Sequence, residues 1–209
     1  MIKVLIVDDH AIVRRGLKDI LAEERDIEVS ETADPHAALR LVREQKWDLL
    51  VLDLDLPGKS GLDLLTDVKG ERPRLPVLIL SVYPEDQFAV RTLRAGASGF
   101  MSKDAAPDEL VKAIRKILHG GKYVSEHTAE ALLHRLDREA QAAPHEALSN
   151  REFQILCLLG AGKTVSAIAR ELSLSVPTIS THRARILEKM QLKTTAELIR
   201  YAIKNRLSP

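Results

Sequence analysis

A single cysteine, Cys157, stands in the 209 residues, which excludes an intrachain disulfide and any zinc site built on several thiolates. Its neighbours Ile155, Leu156, Leu158 and Leu159 are apolar, the setting of a packed, inert thiol rather than a reactive one. Long apolar runs are missing too. Nothing approaches the roughly 18 to 20 residues of a membrane span, and the run from Ile2 to Val7 meets two aspartates instead of a cleavage site for a signal peptide. A cytoplasmic chain with no membrane partner is therefore expected. There is no internal repeat and no low-complexity tract. What is present, 45% apolar and 29% charged residues, is the balance of a globular protein.

Aspartate is absent from residues 148–209, where ten Lys/Arg face four Glu for a net charge of +6. Residues 1–147 hold 21 basic and 26 acidic residues, a net −5, so the whole-chain value of +1 conceals two unlike parts. An acidic part suits cations, and a compact basic part suits a polyanion such as nucleic acid. Two ordinary solvated surfaces would give the same totals, so the decision falls to the motifs.

Short β-branched runs alternate with segments of helical spacing from the start. Strands are expected at 2–7, 27–30, 48–53, 76–81 and 98–101. After the first of them Ile12, Val13, Gly16, Leu17, Ile20 and Leu21 recur at helical spacing, and further helices are expected near 36–45, 60–70, 85–95 and 107–118. Five such units imply a doubly wound α/β domain, a five-stranded parallel sheet covered by helices on both faces, with its active edge at the carboxyl ends of the strands. The rhythm stops at His119-Gly120-Gly121. Ala129, Leu132, Leu133 and Leu136 predict one more helix over 125–140, broken by Gln141-Ala142-Ala143-Pro144. The remainder reads as all helical: 150–159, 165–172, 176–190 and 195–205. The expected organisation is a domain over 1–119, a partly helical linker over 120–144, and a small all-α domain over 145–209.

Asp8 and Asp9 close the first expected strand and Asp53 the third, so a parallel sheet gathers three carboxylates at one rim. Three anions this close repel, and a hard cation relieves the conflict; few carboxylates with room for water and phosphate oxygens suit Mg²⁺. Ser81 ends the fourth strand and Lys103 follows the fifth, adding a hydroxyl and a cation. Nucleophile, metal and positive clamp are the parts needed to move a phosphoryl group onto a carboxylate. Taken singly, each aspartate reads as a helix cap and the lysine as a solvated side chain. Four strand ends supplying Asp-Asp, Asp, Ser and Lys in this order do not.

Val7-Asp8-Asp9-His10, the loop from Asp53 to Gly61, Ser81, and Gly99-Phe100-Met101-Ser102-Lys103 together resemble the receiver domain of two-component response regulators, whose fold is flavodoxin-like. The resemblance implies that Asp53 takes a phosphoryl group from a phosphohistidine on a sensor histidine kinase. It implies that Asp8, Asp9, Asp53 and the backbone carbonyl of Asp55 hold Mg²⁺, and that Lys103 pairs with the phosphoryl oxygens. Ser81 and Phe100 are the implied switch: Ser81 turns toward the phosphoryl group and Phe100 moves inward, without the hydroxyl of the tyrosine common in relatives. The Asp55 carboxylate itself is read as a solvated loop group.

In the basic part, Val165, Ile168, Ala169 and Leu172 form one helical face, Ser173-Leu174-Ser175 a turn, and Pro177 sits in the first turn of the next helix. This is the pattern of a helix-turn-helix unit. Ile179, His182, Ile186 and Met190 are expected to face inward, with His182 packed and hydrogen-bonded; Thr178, Ser180, Thr181, Arg183, Ala184, Arg185 and Lys189 are candidate DNA contacts, small residues toward bases and cations toward phosphates. The alternative is a helical hairpin for a protein partner.

Leu148-Ser149-Asn150-Arg151-Glu152, Ala167-Ile168-Ala169 and Thr178-Ile179-Ser180-Thr181-His182-Arg183 resemble the LuxR-type DNA-binding domain of NarL/FixJ response regulators. Double-stranded promoter DNA, a second copy of the chain when phosphorylated, and the transcription machinery are the partners this implies. Leu198, Ile199, Ala202 and Ile203 on the final helix are candidates for the dimer seam, or complete the domain's own core. A haloacid-dehalogenase-type phosphatase also carries Asp-Leu-Asp after a strand, but after its first strand and without a preceding acidic pair. A receiver independent of phosphate is a second rival. The favoured expectation is a regulator, not a turnover enzyme.

Overall fold

Ile2–Val7 forms the first strand, β1, and its last four residues are fully buried, since the strand lies inside a sheet covered on both faces. The computed structural model describes residues 1–83, 85–105, 107–125, 128–129, 143–205 and 207, apart from the side chains of residues 86 and 87. The expected alternation follows as α1 (Ala11–Ala22), β2 (Ile27–Thr32), α2 (Pro35–Glu44), β3 (Leu49–Asp53), α3 (Gly61–Glu71), β4 (Val77–Ser81), α4 (Glu85–Arg94), β5 (Gly99–Ser102) and α5 (Pro107–Leu118). Most of the helix expected over 125–140 lies outside the described residues. Contacts divide the chain into two units, Met1–Glu130 and Ala131–Pro209.

The five strands are parallel in the order β2-β1-β3-β4-β5, a doubly wound sheet whose strand order reverses beside β1 and β3. Every residue of β3 and β4 is buried, which is why Leu49-Leu50-Val51-Leu52 is a continuous apolar run rather than an alternating one. The edge strand β2 is only partly covered. Leu17 and Leu21 of α1 and Leu110, Ile114 and Ile117 of α5 close one face over Val4, Ile6, Val51 and Leu80. Ile12, although at helical spacing with this set, is 89% exposed. The pairings Val7 with Leu52, Asp53 with Leu80 and Ser81 with Ser102 bring the carboxyl ends of β1, β3, β4 and β5 to one rim.

The second edge, β5, is not bare. Beyond α5 the chain turns back and lays Tyr123 beside Gly99: the Phe100 amide donates to the Tyr123 carbonyl (2.9 Å) and the Tyr123 amide to the Ser98 carbonyl (3.0 Å). Pairing an exposed edge removes a template for aggregation. The first unit therefore continues past the boundary expected at 119; Lys122 and Ser125 bond back to the Ala97 carbonyl and to Glu85.

The second unit contains a 3₁₀ turn (Pro144–Ala147), α6 (Asn150–Gly160), α7 (Val165–Glu171), α8 (Val176–Lys189) and α9 (Thr195–Lys204). Side-chain hydroxyls cap each helix: Ser149 and Thr194 in capping boxes with Glu152 and Glu197, Thr164 before α7, Ser175 before α8. Ser173 takes φ 52 in the tight turn between α7 and α8. Phe153, Leu156, Ile168, Ile179, Ile186, Leu198 and Ala202 are all buried, as is Cys157. His145 of the 3₁₀ turn is buried as well, with Nδ1 2.8 Å from the Tyr201 hydroxyl, so this turn packs with α9. Among the described residues no helix is long and apolar enough to cross a membrane.

Candidate functional site: an acidic rim and a basic helix

Asp8 follows β1, Asp53 ends β3 and Lys103 follows β5, and the sheet register turns these distant positions into one pocket. Lys103 Nζ lies 2.7 Å from Asp8 Oδ2 and donates over 2.7 Å to Asp53 Oδ2. Asp8 and Asp53 are almost wholly buried, at 1% and 2% exposure, while Asp9 is partly open. Ligand atoms of Asp8, Asp9, His10 and Asp53 all lie within 4.8 Å of one another.

Lys103 pairs with two of the three carboxylates, Asp8 and Asp53, and the ionisation follows. Burial raises the Asp53 carboxyl to about 7; Lys103 opposes the rise, and the charges of Asp8 and Asp55 add to it. Burial pulls the Lys103 ammonium down, but Asp53 and Asp8 outweigh it and hold it above its ordinary value. Burial dominates the first shift and the two carboxylate partners the second. A donor set of this kind fits a hard divalent cation such as Mg²⁺.

The loop after Asp53 is shaped by Gly61. A Cβ there would run into the Asp53 carbonyl oxygen and lie 2.6 Å from Leu54 Cα, so the approach of α3 to the end of β3 requires glycine. The Asp55 amide donates to Asp53 Oδ1 over 3.1 Å. The Asp55 carboxylate is not the solvated group expected: it is half-buried and accepts the Tyr83 hydroxyl at 2.7 Å. Tyr83, not singled out in the sequence, is buried and stacks on Phe88 with ring centroids 4.5 Å apart. Its position two residues past Ser81 was the available signal. Ser81 is fully buried and its hydroxyl accepts the Tyr83 amide at 3.2 Å. Phe100 is fully buried in this conformation.

On the second unit, α8 exposes Thr181, Ala184 and Arg185, with Thr178, Ser180 and Arg183 half-buried. Thr178 Oγ1 pairs with Ser175 Oγ at 2.7 Å, and the Thr181 hydroxyl donates to the Pro177 carbonyl, so these two hydroxyls reinforce the start of the helix. Lys189 is exposed on α8 and also has a partner within the unit. Its Nζ donates to the buried Glu152 at 2.6 Å and ties the end of α8 to the start of α6. Burial pushes the Glu152 carboxyl up, but the bonds from Lys189 and Ser149 prevail and hold it below its ordinary range.

His182 faces the interior in part, as expected, yet among the described residues its buried Nδ1 has no hydrogen-bond partner. Burial pushes this imidazole down, Glu152 opposes, and Arg151 and Arg185 add to the fall. Of the four seam candidates, Leu198 and Ala202 are fully buried within the unit, Ile199 is partly buried, and Ile203 is 60% exposed. The first two take the alternative role and complete the core.

Comparison with known proteins places this geometry. The response regulator receiver domain matches residues 4–115, and the luxR family of bacterial regulatory proteins matches residues 146–202. The chain is 36% identical to response regulator GacA of Pseudomonas aeruginosa over 98% of its own length and 97% of the relative's. It is 34% identical to the oxygen regulatory protein NreC of Staphylococcus carnosus, over 98% of each chain. Among solved structures, RcsB of Salmonella typhimurium is similar with a TM-score of 0.63 at 26% identity, covering 96% of this chain and 98% of that one. An RcsB–DNA complex gives a TM-score of 0.60 at 26% identity, over 96% of each chain. With a receiver fold carrying its acidic rim and a helix-turn-helix unit behind it, the chain belongs to the NarL/FixJ family of two-component response regulators.

Proposed function

We propose that Asp53 accepts a phosphoryl group from a sensor histidine kinase, and that this controls dimerisation and sequence-specific DNA binding by α8, so regulating transcription. The observation that carries the reading is the convergence of Lys103 on Asp53 and Asp8 at 2.7 Å, buried at the carboxyl rim of the sheet. An Asp53 carboxylate oxygen forms the new bond to phosphorus, the P–N bond to the kinase imidazole breaks, and the imidazole leaves with that electron pair. Lys103 faces the oxygens of the incoming group. Asp8, Asp9, Asp53 and the Asp55 carbonyl would hold Mg²⁺, which supplies charge neutralisation for the carboxylates and the phosphoryl oxygens. The chain turns over no free substrate; it gains and loses one group.

Phosphorylation adds about −1.5 to −2 charges and three strong acceptors at one point. The Ser81 hydroxyl then exchanges the Tyr83 amide for a phosphoryl oxygen, and the β4–α4 segment resettles around it. Two states of one fold differ in population. In the second unit Ser180, Thr181 and Ala184 meet base edges, Thr178 and the N-terminus of α8 meet phosphates, and Arg183 and Arg185 flank the groove. Lys189 positions the helix through Glu152. Ile199 and Ile203 remain for a seam between two copies. The receiver is read as running to residue 125 and the DNA-binding domain as beginning near 145, with the linker between them.

The test uses the full chain with a small phosphodonor and Mg²⁺. Intact mass is expected to rise by one phosphoryl group in the wild type and not in Asp53→Ala, and operator affinity to rise only in the phosphorylated wild type. A phosphoryl group on Asp53→Ala overturns the assignment of Asp53. Equal affinity in all samples overturns the coupling.

A further inference from the structure

We propose that a cleft at the amino-terminal end of the sheet binds a small planar aromatic anion, seated on the indole of Trp47 and held by Lys46 and Arg74.

The cleft, about 810 Å³, lies between the segment that leads from α2 into β3 and the segment that leads from α3 into β4. A volume of this order falls within the range of small-molecule sites, roughly 300 to 1,000 Å³. The strands β3 and β4 begin here and end at Asp53 and Ser81, so the length of a strand, about 17 Å, separates the cleft from the acidic rim. Val42 and Leu75 contribute buried apolar surface, and Pro73 and Pro76 stiffen the lining.

Trp47, the only tryptophan of the chain, is half-buried in this lining. Its Nε1 donates to the Leu41 carbonyl over 2.9 Å, which occupies the single donor of the indole and fixes the ring. What the ring has left to offer the cleft is apolar π surface, the partner of another flat ring.

The charges of the lining are of two kinds, engaged and free. Arg72 donates to the carbonyls of Val42 (3.3 Å) and Arg43 (3.1 Å), Glu71 accepts Arg43 Nε at 3.0 Å, and Asp48 accepts the Lys3 amide at 2.7 Å. Lys46 and Arg74 are exposed and, among the described residues, have no partner. Two free cations beside an apolar π surface complement a ligand that is flat at one end and negative at the other. The planar fork of an arginine takes a carboxylate or a phosphate, so the class is an aromatic anion bearing either group.

The single indole N–H gives one signal in a nitrogen–proton correlation spectrum, local to the cleft, so anions bound elsewhere on the chain, including on the basic α8, are not read by it. The full chain, without Mg²⁺, is titrated with AMP and separately with benzoate, with adenosine and benzamide as their uncharged counterparts, for wild type, Lys46→Ala and Arg74→Ala. The exposure of both side chains makes these substitutions compatible with folding, and unchanged amide signals of the sheet check it. The expected result is a saturable displacement of the Trp47 signal by at least one anion, with binding weaker by about tenfold for its uncharged counterpart and by about three- to tenfold in each variant. A response to AMP alone assigns the cleft to phosphates, to benzoate alone to carboxylates, and to both to their shared charge; each supports the proposal. No displacement by either anion overturns it. So does equal binding of the uncharged counterpart, which leaves an apolar cleft without anion recognition, and so does wild-type affinity in either variant.

Discussion

Asp53 is buried and His182 partly so, and each is a titratable group set by what surrounds it. Around Asp53 the surroundings are charged and reactive; around His182 they are packing with an unpartnered Nδ1. For His182 the consequence is a pH dependence. Its folded value lies below the ordinary 6.5, so the unfolded chain binds the proton more readily. Stability from the neutral ring is fully present above the unfolded value and is lost as pH falls through 6.5 toward the folded one. Thermal unfolding of the full chain, followed by amide signals of the second unit, is expected to show a melting temperature that drops between pH 7.5 and pH 5.5. His182→Leu is expected to flatten that drop; an equal slope in the variant would remove His182 as its source. The same scale shows where sequence reading ended. Asp53, Lys103 and Ser81 were legible because strand ends announce themselves, but the bond from Tyr83 to Asp55 was not, since nothing local to either residue marks the other.

At the scale of elements, the alternation of strands and helices was legible nearly to the residue, because the central strands β3 and β4 are buried apolar runs and α2, α3 and α6 to α9 each begin at a side-chain cap. Two features escaped. The ion pair of Lys189 with Glu152 joins residues of separate helices, and the pairing of Tyr123 along β5 consists of one bridge with no apolar run to signal it. The second has a sharp requirement. A Cβ on Gly99 would stand 2.7 Å from the Tyr123 carbonyl oxygen and 3.1 Å from Ile117 Cδ1. Overpacking of this kind costs about 1 to 3 kcal/mol. Gly99→Ala is therefore expected to lower stability by that amount and to speed hydrogen exchange at the Phe100 and Tyr123 amides before the rest of the sheet. Exchange that is unchanged at those two amides would separate the bridge from the stability of the strand.

For the whole molecule, the net −5 of residues 1–147 and the +6 of residues 148–209 assign cation and anion chemistry to different parts of the chain. If Arg185 on the exposed side of α8 neutralises a phosphate in each copy of a pair, the log–log salt dependence of operator binding is expected to flatten by about two units in Arg185→Ala, with base preference retained. An unchanged slope would take Arg185 off the DNA backbone. Sedimentation with and without phosphodonor addresses the pairing itself: doubling of mass in the wild type and not in Asp53→Ala is the expected outcome.

The bridge at Tyr123 gives the exit from the receiver a mechanical character. The strand that presents Phe100 and leads into Lys103 is also the anchor for the outgoing chain, through the Phe100 amide on one side and the Ser98 carbonyl on the other. The chain leaving α5 is thus fastened directly to β5, the strand whose far end meets the acidic rim. Tyr123 is the cleat that makes the outgoing chain fast to β5, with Lys122 and Ser125 bonding on either side of it.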